Sequence, residues 1–303
     1  MITSSNIGNS TLSNVLIAKL RDYAILTKYR LNLTVVFSSV IGYLYAYGSN
    51  FQLVNIWWLS LAGFLVTGSA NGINQVLEKD YDKLMKRTAD RPVATGRMGV
   101  AEALLISGLM GVSGILILFY VFNDLAALMG AISLLSYAFI YTPLKRISPI
   151  AILVGAFPGA LPTAIGWVAA TGVLSYEAYV LFAIQFLWQF PHFWAIGWLG
   201  SEEYAKAGFR LEPQPDARNQ RTALQIISYI LFLIPVTILP SLVHLNSYYF
   251  SIGAIALNLF FLWAGINLYK KCDNAAALRL MLASIIYLPL LQIWMVVDRI
   301  FIR

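Results

Sequence analysis

A chain of 303 residues that is 59% hydrophobic and 12% charged, with a mean hydropathy of +0.71, is too apolar for a soluble globule and describes a polytopic membrane protein. Its net charge of +7 reads as membrane topology plus anion handling, and nucleic-acid binding would be a poor use of it. Cys272 is the single cysteine, which excludes an intrachain disulfide and any cysteine cluster for zinc or iron–sulfur.

The first eighteen residues are Ser/Asn-rich and carry no Arg, so neither a secretory signal nor an Arg-rich transit peptide is evident. Residues 1–20 read as a flexible tail ahead of a single membrane domain, 21–303. Leu20 to Arg30, LRDYAILTKYR, reads as a short interfacial helix whose basic heads reach the phospholipid surface, with Lys28 and Arg30 as anchors more than as phosphate ligands. A hydrocarbon core of ~30 Å takes roughly 20 residues of helix to cross. Windows of that length fall near 31–47, 53–77, 99–122, 125–144, 150–171, 176–199, 223–245, 248–269 and 275–297. The chain therefore reads as an all-α bundle of about nine transmembrane helices; the alternation of outer-membrane strands is absent.

Basic residues orient it. With the N-terminus in the cytoplasm, nineteen of the twenty-one Lys/Arg lie on the inner side, and only Arg299 and Arg303 lie outside. The outer loops near 48–52, 122–124, 171–177 and 244–248 hold none. A bacterial cytoplasmic (inner) membrane is the simplest location.

After the second span comes NGINQVLEKDYDKLMKRTADRPVATG, Asn71 to Gly96, which contains four of the fourteen acids and, with Arg97, six of the Lys/Arg. Asn74, Glu78 and Asp82 stand at i, i+4 and i+8, one face of a continuing helix. Two stacked carboxylates repel unless a cation sits between them. The three oxygen donors are of the hard type that Mg²⁺ takes together with substrate phosphate. Lys79, Lys83, Lys86, Arg87 and Arg91 suit an anion such as a diphosphate. The plainer alternative is a helix that simply emerges into water, and from this stretch alone the two stand level.

Further along, SYAFIYTPLKRISP sets Tyr137 and Tyr141 one turn apart ahead of Lys145 and Arg146. The fifth span contains Gly155, Pro158, Gly159, Pro162 and Gly166, a pattern that suits a kinked cavity wall, with plain helix packing as the alternative. In the sixth, Gln185, Gln189 and His192 share a face that must look into the bundle. This face leads to a second acidic pair, Glu202 and Glu203, so that a polar stripe running to paired acids occurs twice, a weak internal repeat. Acids at two helix ends, a basic surround and an apolar bundle suggest transfer of a prenyl group from a diphosphate held by magnesium. An ion-coupled transporter is the rival class, but its acids belong near the midplane.

With these residues in view, the chain resembles the intramembrane aromatic prenyltransferase superfamily, and within it the heme O synthase family. Asn74, Glu78 and Asp82 match the Asn-x3-Asp-x3-Asp motif, with Glu for the first Asp. MKRTADRP (Met85–Pro92), YTPLKR (Tyr141–Arg146), GAFPGALPTAIGW (Gly155–Trp167), WQFPHFWA (Trp188–Ala195), EEYAKAG (Glu202–Gly208) and ASIIYLPLL (Ala283–Leu291) follow in the family's order. The match runs from Thr27 over most of the chain. It departs at the second motif, an Asp-x3-Asp in the superfamily: here Glu202 and Glu203 are adjacent, Leu199, Gly200 and Ser201 replace the usual basic residues, and Arg210-Leu211-Glu212-Pro213 replaces an apolar ending.

The resemblance implies transfer of the farnesyl group of farnesyl diphosphate to a vinyl carbon of heme b, giving heme O, with Mg²⁺ as cofactor. It further implies Mg²⁺ on Glu78 and Asp82, with Glu202 and Glu203 as a second metal pair, and Asn74 as their orienting residue. Lys83, Arg87 and Arg91 would contact the diphosphate, and Lys145 and Arg146 either phosphate or a heme propionate. Tyr141, Gln189 and His192 would face substrate. Membrane lipid and heme A synthase are the implied partners. A prenyltransferase acting on a quinone-precursor ring is the nearest alternative. For His192, a satisfied interior position stands slightly ahead of contact with a propionate, and axial ligation of iron comes last.

Overall fold

The computed structural model describes residues 5–210 and 218–302, and among them it is helical with no strand. Ten long helices are numbered here α1 (Ser5–Leu26), α2 (Tyr29–Tyr47), α3 (Leu53–Leu77), α4 (Val100–Phe122), α5 (Asp124–Leu144), α6 (Ala151–Thr171), α7 (Tyr176–Lys206), α8 (Gln220–Leu242), α9 (Tyr248–Lys271) and α10 (Asn274–Ile302). Helices α3 to α10 are each long and apolar enough to cross a membrane. The nine-helix expectation is completed by α2, which at 19 residues is long enough but carries Arg30, Asn32 and two serines. It packs on α3, α6 and α10 as one of the bundle.

The first helix differs from expectation at both ends. It is already helical from Ser5, upstream of Leu20, because Ser and Asn cost only a fraction of a kcal/mol in a helix. It stops at Leu26, short of Arg30, because Lys28 adopts the left-handed region at φ 49° and α2 restarts at Tyr29. Lys19 and Tyr23 of α1 bind Glu102 at 2.9 and 3.0 Å, and Asp22 binds Arg97 at 3.1 Å. Its exposed face carries Val15, Leu16, Ile17 and Leu20, the side a lipid interface would cover.

Helix α6 is the hub. In its most apolar stretch 78% of residues are buried, against 22% in α4, so α4 is a lipid-facing helix and α6 a core one. Helices α2, α5 and α7 pack around it. Gly159 and Gly166 serve this packing: a Cβ on Gly166 would lie 1.9 Å from the Ser39 carbonyl of α2, and one on Gly159 would lie 2.1 Å from Gln189 Oε1 of α7. Helices α6 and α7 also run on through Pro158, Pro162 and Pro191 without a break.

Candidate active site

Helix α3 ends at Leu77, but its ladder of backbone bonds does not. Glu78 N–H donates to the Asn74 carbonyl at 2.9 Å and Asp82 N–H to the Glu78 carbonyl at 2.8 Å, through the short turn Lys79–Asp82. Asn74, Glu78 and Asp82 thus keep the single face that their spacing predicts. All three are buried, at 0%, 5% and 0% exposure, which rules out a helix merely emerging into water. A loop then returns Arg91 to them, braced where the Thr88 hydroxyl donates to the Asp82 carbonyl and where Pro92 opens a turn closed by Gly96 at φ 80°.

Three cations converge on the two carboxylates. Arg91 Nη1 donates to both Asp82 oxygens at 2.7 Å and stands 3.9 Å from Glu78, and Lys145 Nζ donates to Glu78 Oε1 at 2.8 Å. Lys28 Nζ donates to Asn74 Oδ1 at 3.0 Å, while the Asn74 amide donates to Thr142 Oγ1 at 3.1 Å. Lys28 is thus a site residue and not a lipid anchor. Its left-handed backbone between α1 and α2 turns the side chain inward, a feature that nothing in LTKYR signals.

Burial disfavours charge on all of these groups, and their neighbours decide the outcome. At Glu78 burial pushes upward, but Lys145, Lys28 and Arg91 outweigh it and hold the carboxyl below its ordinary range. At Asp82 burial prevails over Arg91, and with Glu78 adding repulsion the carboxyl lies above its ordinary range. Burial, with Arg91 and Lys145 adding repulsion, brings Lys28 well below the usual lysine range. An anion bound among Lys28, Arg91 and Lys145 would offset the repulsion that disfavours charge on Lys28.

Helix α5 delivers the third wall. Its residues Ser136–Tyr141 wind as a π turn, a local irregularity that brings the rings of Tyr137 and Tyr141 within 5.2 Å and sets Lys145 Nζ 4.5 Å over Tyr141. Gly155 of α6 makes room for the Tyr141 ring. The cluster is roofed by the segment after α7, where Arg210 N–H donates to the Lys145 carbonyl at 2.6 Å and the Phe209 ring lies 5.9 Å from Lys145 Nζ. Beyond Arg210, Leu211, Glu212 and Pro213 lie outside the described residues.

Other candidates are placed elsewhere. Lys83 points outward to Asp80 at 2.9 Å. Arg87 and Arg146 lie on the exposed rim, against Tyr204 and Tyr81 respectively. Glu202 is exposed and paired with Arg218 at 3.0 Å, and Glu203 accepts the Arg87 backbone N–H at 3.3 Å. Among the described residues no three His, Cys, Asp or Glu side chains come together, so Glu202 and Glu203 do not join Glu78 and Asp82 in one cluster. The apparent repeat therefore ends in unlike sites, because Glu78 and Asp82 after α3 are buried among cations, whereas after α7 Glu202 is exposed and Glu203 half-buried.

Gln189 and His192 serve the bundle interior. Gln189 Nε2 donates to the Ala156 carbonyl of α6 at 3.0 Å, and Gln185 takes the Thr163 hydroxyl at 3.1 Å and the Gln292 amide at 3.2 Å. His192 Nδ1 bonds Ser284 Oγ of α10 at 2.7 Å, and its ring stacks on Trp188 at 4.9 Å. This is the satisfied interior position. His192→Ala is expected to lower thermal stability in detergent by about 1–2 kcal/mol. A variant with unchanged stability would contradict it.

The donor set fits Mg²⁺. Glu78, Asp82 and the Asn74 side-chain oxygen are hard oxygen donors on one face, already bound to cations, and two carboxylates suffice where water and phosphate complete the shell.

Comparison with known proteins agrees with this geometry. Residues 35–288 match the model of the UbiA prenyltransferase family. A protoheme IX farnesyltransferase of Cytophaga hutchinsonii is 47% identical over 94% of this chain and 99% of its own length. One of Flavobacterium johnsoniae is 43% identical over 92% of this chain and 94% of its own. Among solved structures, a digeranylgeranylglyceryl phosphate synthase superposes with a TM-score of 0.78 at 18% identity, covering 93% of this chain and 99% of that one. A UbiA homolog from Archaeoglobus fulgidus bound to GPP and Mg²⁺ does so with 0.67 at 15% identity, covering 91% and 99%. With a buried cluster of carboxylates and cations at the mouth of an apolar bundle, and with relatives matched over nearly their whole length, this chain belongs to the UbiA prenyltransferase family.

Proposed function

We propose that this enzyme is a protoheme IX farnesyltransferase, which joins the farnesyl group of farnesyl diphosphate to a vinyl group of heme b. The observation that carries the chemistry is the buried set Lys28, Glu78, Asp82, Arg91 and Lys145. The acceptor is assigned from relatives that bear this name and are 47% and 43% identical. A transporter fits less well, since Glu78 and Asp82 lie past the end of α3 and not at mid-span.

In the reaction the allylic C–O bond of farnesyl diphosphate breaks and diphosphate leaves with the electron pair. The vinyl carbon attacks the farnesyl cation, water adds to the carbocation formed next to the porphyrin, and one proton is released. Lys28, Arg91 and Lys145 hold the diphosphate, and the charge that develops on it as the bond breaks is what they stabilise. Glu78 and Asp82, oriented by Asn74, would hold Mg²⁺, which when bound neutralises diphosphate charge and so improves the leaving group. Tyr137 and Tyr141 stand where the apolar bundle meets the cluster; their rings limit water at that boundary and offer π-faces to a cation.

The farnesyl tail would lie among the helices and lipid, and the site would open to the cytoplasm of a bacterial inner membrane. Reporter fusions after Gly96 and Gly208 are expected to give cytoplasmic signals, and those after Ser49 and Gly172 external ones; the reverse pattern would remove the cytoplasmic site. The function itself is tested by extracting hemes from cells that make the protein. A heme more apolar than heme b, heavier by one farnesyl group and one hydroxyl, is the expected product, and heme b alone in producing cells counts against the assignment.

A further inference from the structure

Three successive backbone carbonyls lead up to Lys28, and buried amides of α3 receive all of them. A helix leaves its last carbonyls without donors of its own. At the end of α1, Gln75 Nε2 donates to the Ile25 carbonyl at 2.8 Å and to the Leu26 carbonyl at 3.1 Å, and Asn71 Nδ2 donates to the Thr27 carbonyl at 3.2 Å. Gln75 and Asn71 are 0% and 2% exposed. They stand at i and i+4 on α3, beside the face that carries Asn74 and Glu78. The same stripe of α3 also holds the chain on the far side of the turn. There Asn32 Nδ2 donates to the Phe64 carbonyl at 2.8 Å, and a Cβ on Gly68 would lie 3.3 Å from the Thr27 methyl group. An apolar side chain at position 75 would fill the space without burying a polar group. Gln75 Oε1 meets no donor among the described residues, so the amide serves the two carbonyls alone.

We infer that Gln75 and Asn71 are positioning residues for Lys28: by fixing the carbonyls of residues 25–27 they hold the left-handed turn that aims the lysine at Asn74 and the diphosphate site. A non-glycine residue at φ 49° is sterically disfavoured and stays there only where its surroundings over-determine it. The two amides supply that constraint on the residues just before the turn. Without them Lys28 is free to take right-handed φ, which would join α1 to α2 as one helix. The side chain would then swing away from Asn74, to which Nζ donates at 3.0 Å. Gln75 and Asn71 thus act on substrate through Lys28, and the α3 helix that presents the carboxylates also sets the direction of the first cation opposite them.

This role rests on Lys28 holding the diphosphate, as proposed above, and the two can fail separately. Binding of farnesyl thiodiphosphate with Mg²⁺ to purified full-length protein in detergent is measured by titration calorimetry, so that no acceptor enters. Lys28→Met is expected to weaken binding roughly tenfold or more. Gln75→Met, close to glutamine in shape but without a donor, is expected to reproduce most of that loss, and the double variant to bind no more weakly than Lys28→Met alone. Asn71→Ala removes one of the three bonds and is expected to give a smaller loss, again absent in the Lys28→Met background; it carries the test if Gln75→Met does not fold. Glu102→Gln loosens α1 away from the turn, at Lys19 and Tyr23, and is expected to leave binding unchanged. Losses that multiply in the double variants, or an equal loss in Glu102→Gln, would reveal a general structural role and overturn the inference. Unchanged binding by Gln75→Met and Asn71→Ala beside a weakened Lys28→Met would overturn it too, while leaving Lys28 in the diphosphate site. Unchanged binding by Lys28→Met would remove Lys28 from that site and the role of the two amides with it.

Discussion

Asp82→Ala is expected to reduce farnesyl transfer by at least roughly 10²–10³-fold, the scale of losing a principal electrostatic contact to a developing charge. Asp82 is 0% exposed and takes both short bonds from Arg91, so it faces the site and not an apolar core. The stability loss is expected to be smaller, about 1–3 kcal/mol, because Glu78 stands 3.9 Å from the same guanidinium and can take it over. Glu78→Asp keeps the carboxylate and restores the residue commoner in the family's motif, so measurable activity is expected. Radiolabelled farnesyl transfer, set beside the size-exclusion profile in detergent, checks both. Full activity of Asp82→Ala in protein that elutes normally would remove Asp82 from the mechanism.

The second large effect is on stability. Arg91→Met leaves Asp82 buried with no close cation, a change that costs roughly 3–5 kcal/mol when one partner of a buried ion pair is removed. If Arg91 and Lys145 occupy the carboxylates in the absence of metal, Mg²⁺ can replace the lost charge. Added Mg²⁺ is then expected to raise the Tm of Arg91→Met by several degrees more than that of wild type. An equal response in the two proteins would show that Asp82 and Glu78 do not take the metal. Activity of the variant is expected to fall as well, since Arg91 is proposed to hold the diphosphate.

The helices and the first acidic face are legible in the sequence because each rests on a local period. Asn74, Glu78 and Asp82 are linked by the i→i−4 ladder, which persists past Leu77. Lys145 reads as a site residue from its place after Tyr141, and its bond to Glu78 is in keeping with that. What is not legible depends on which way a side chain turns once the helix has ended. Lys83 and Arg91 are equivalent in composition, yet Lys83 turns out to Asp80 and Arg91 comes back to Asp82 because the loop reverses at Pro92. Lys28 is hidden for the same reason, its direction set by one left-handed residue. Gly159 and Gly166 in α6 carry two meanings in sequence, cavity or close packing, and only the neighbouring Ser39 carbonyl and Gln189 side chain decide for packing. Glu202 and Glu203 look like a second metal pair from their position after a polar stripe; in the structure they meet Arg218 and the Arg87 backbone N–H and form no cluster with Glu78 and Asp82.

The most direct test is a single-turnover experiment with purified protein, farnesyl diphosphate and heme b, with and without Mg²⁺, followed by mass analysis of the heme. A heme heavier by one farnesyl group and one hydroxyl is expected, formed only with the divalent cation present and lost in Asp82→Ala. Conversion that proceeds equally without any divalent cation, or heme left unchanged while a hydroxybenzoate or naphthoate is prenylated instead, would contradict it.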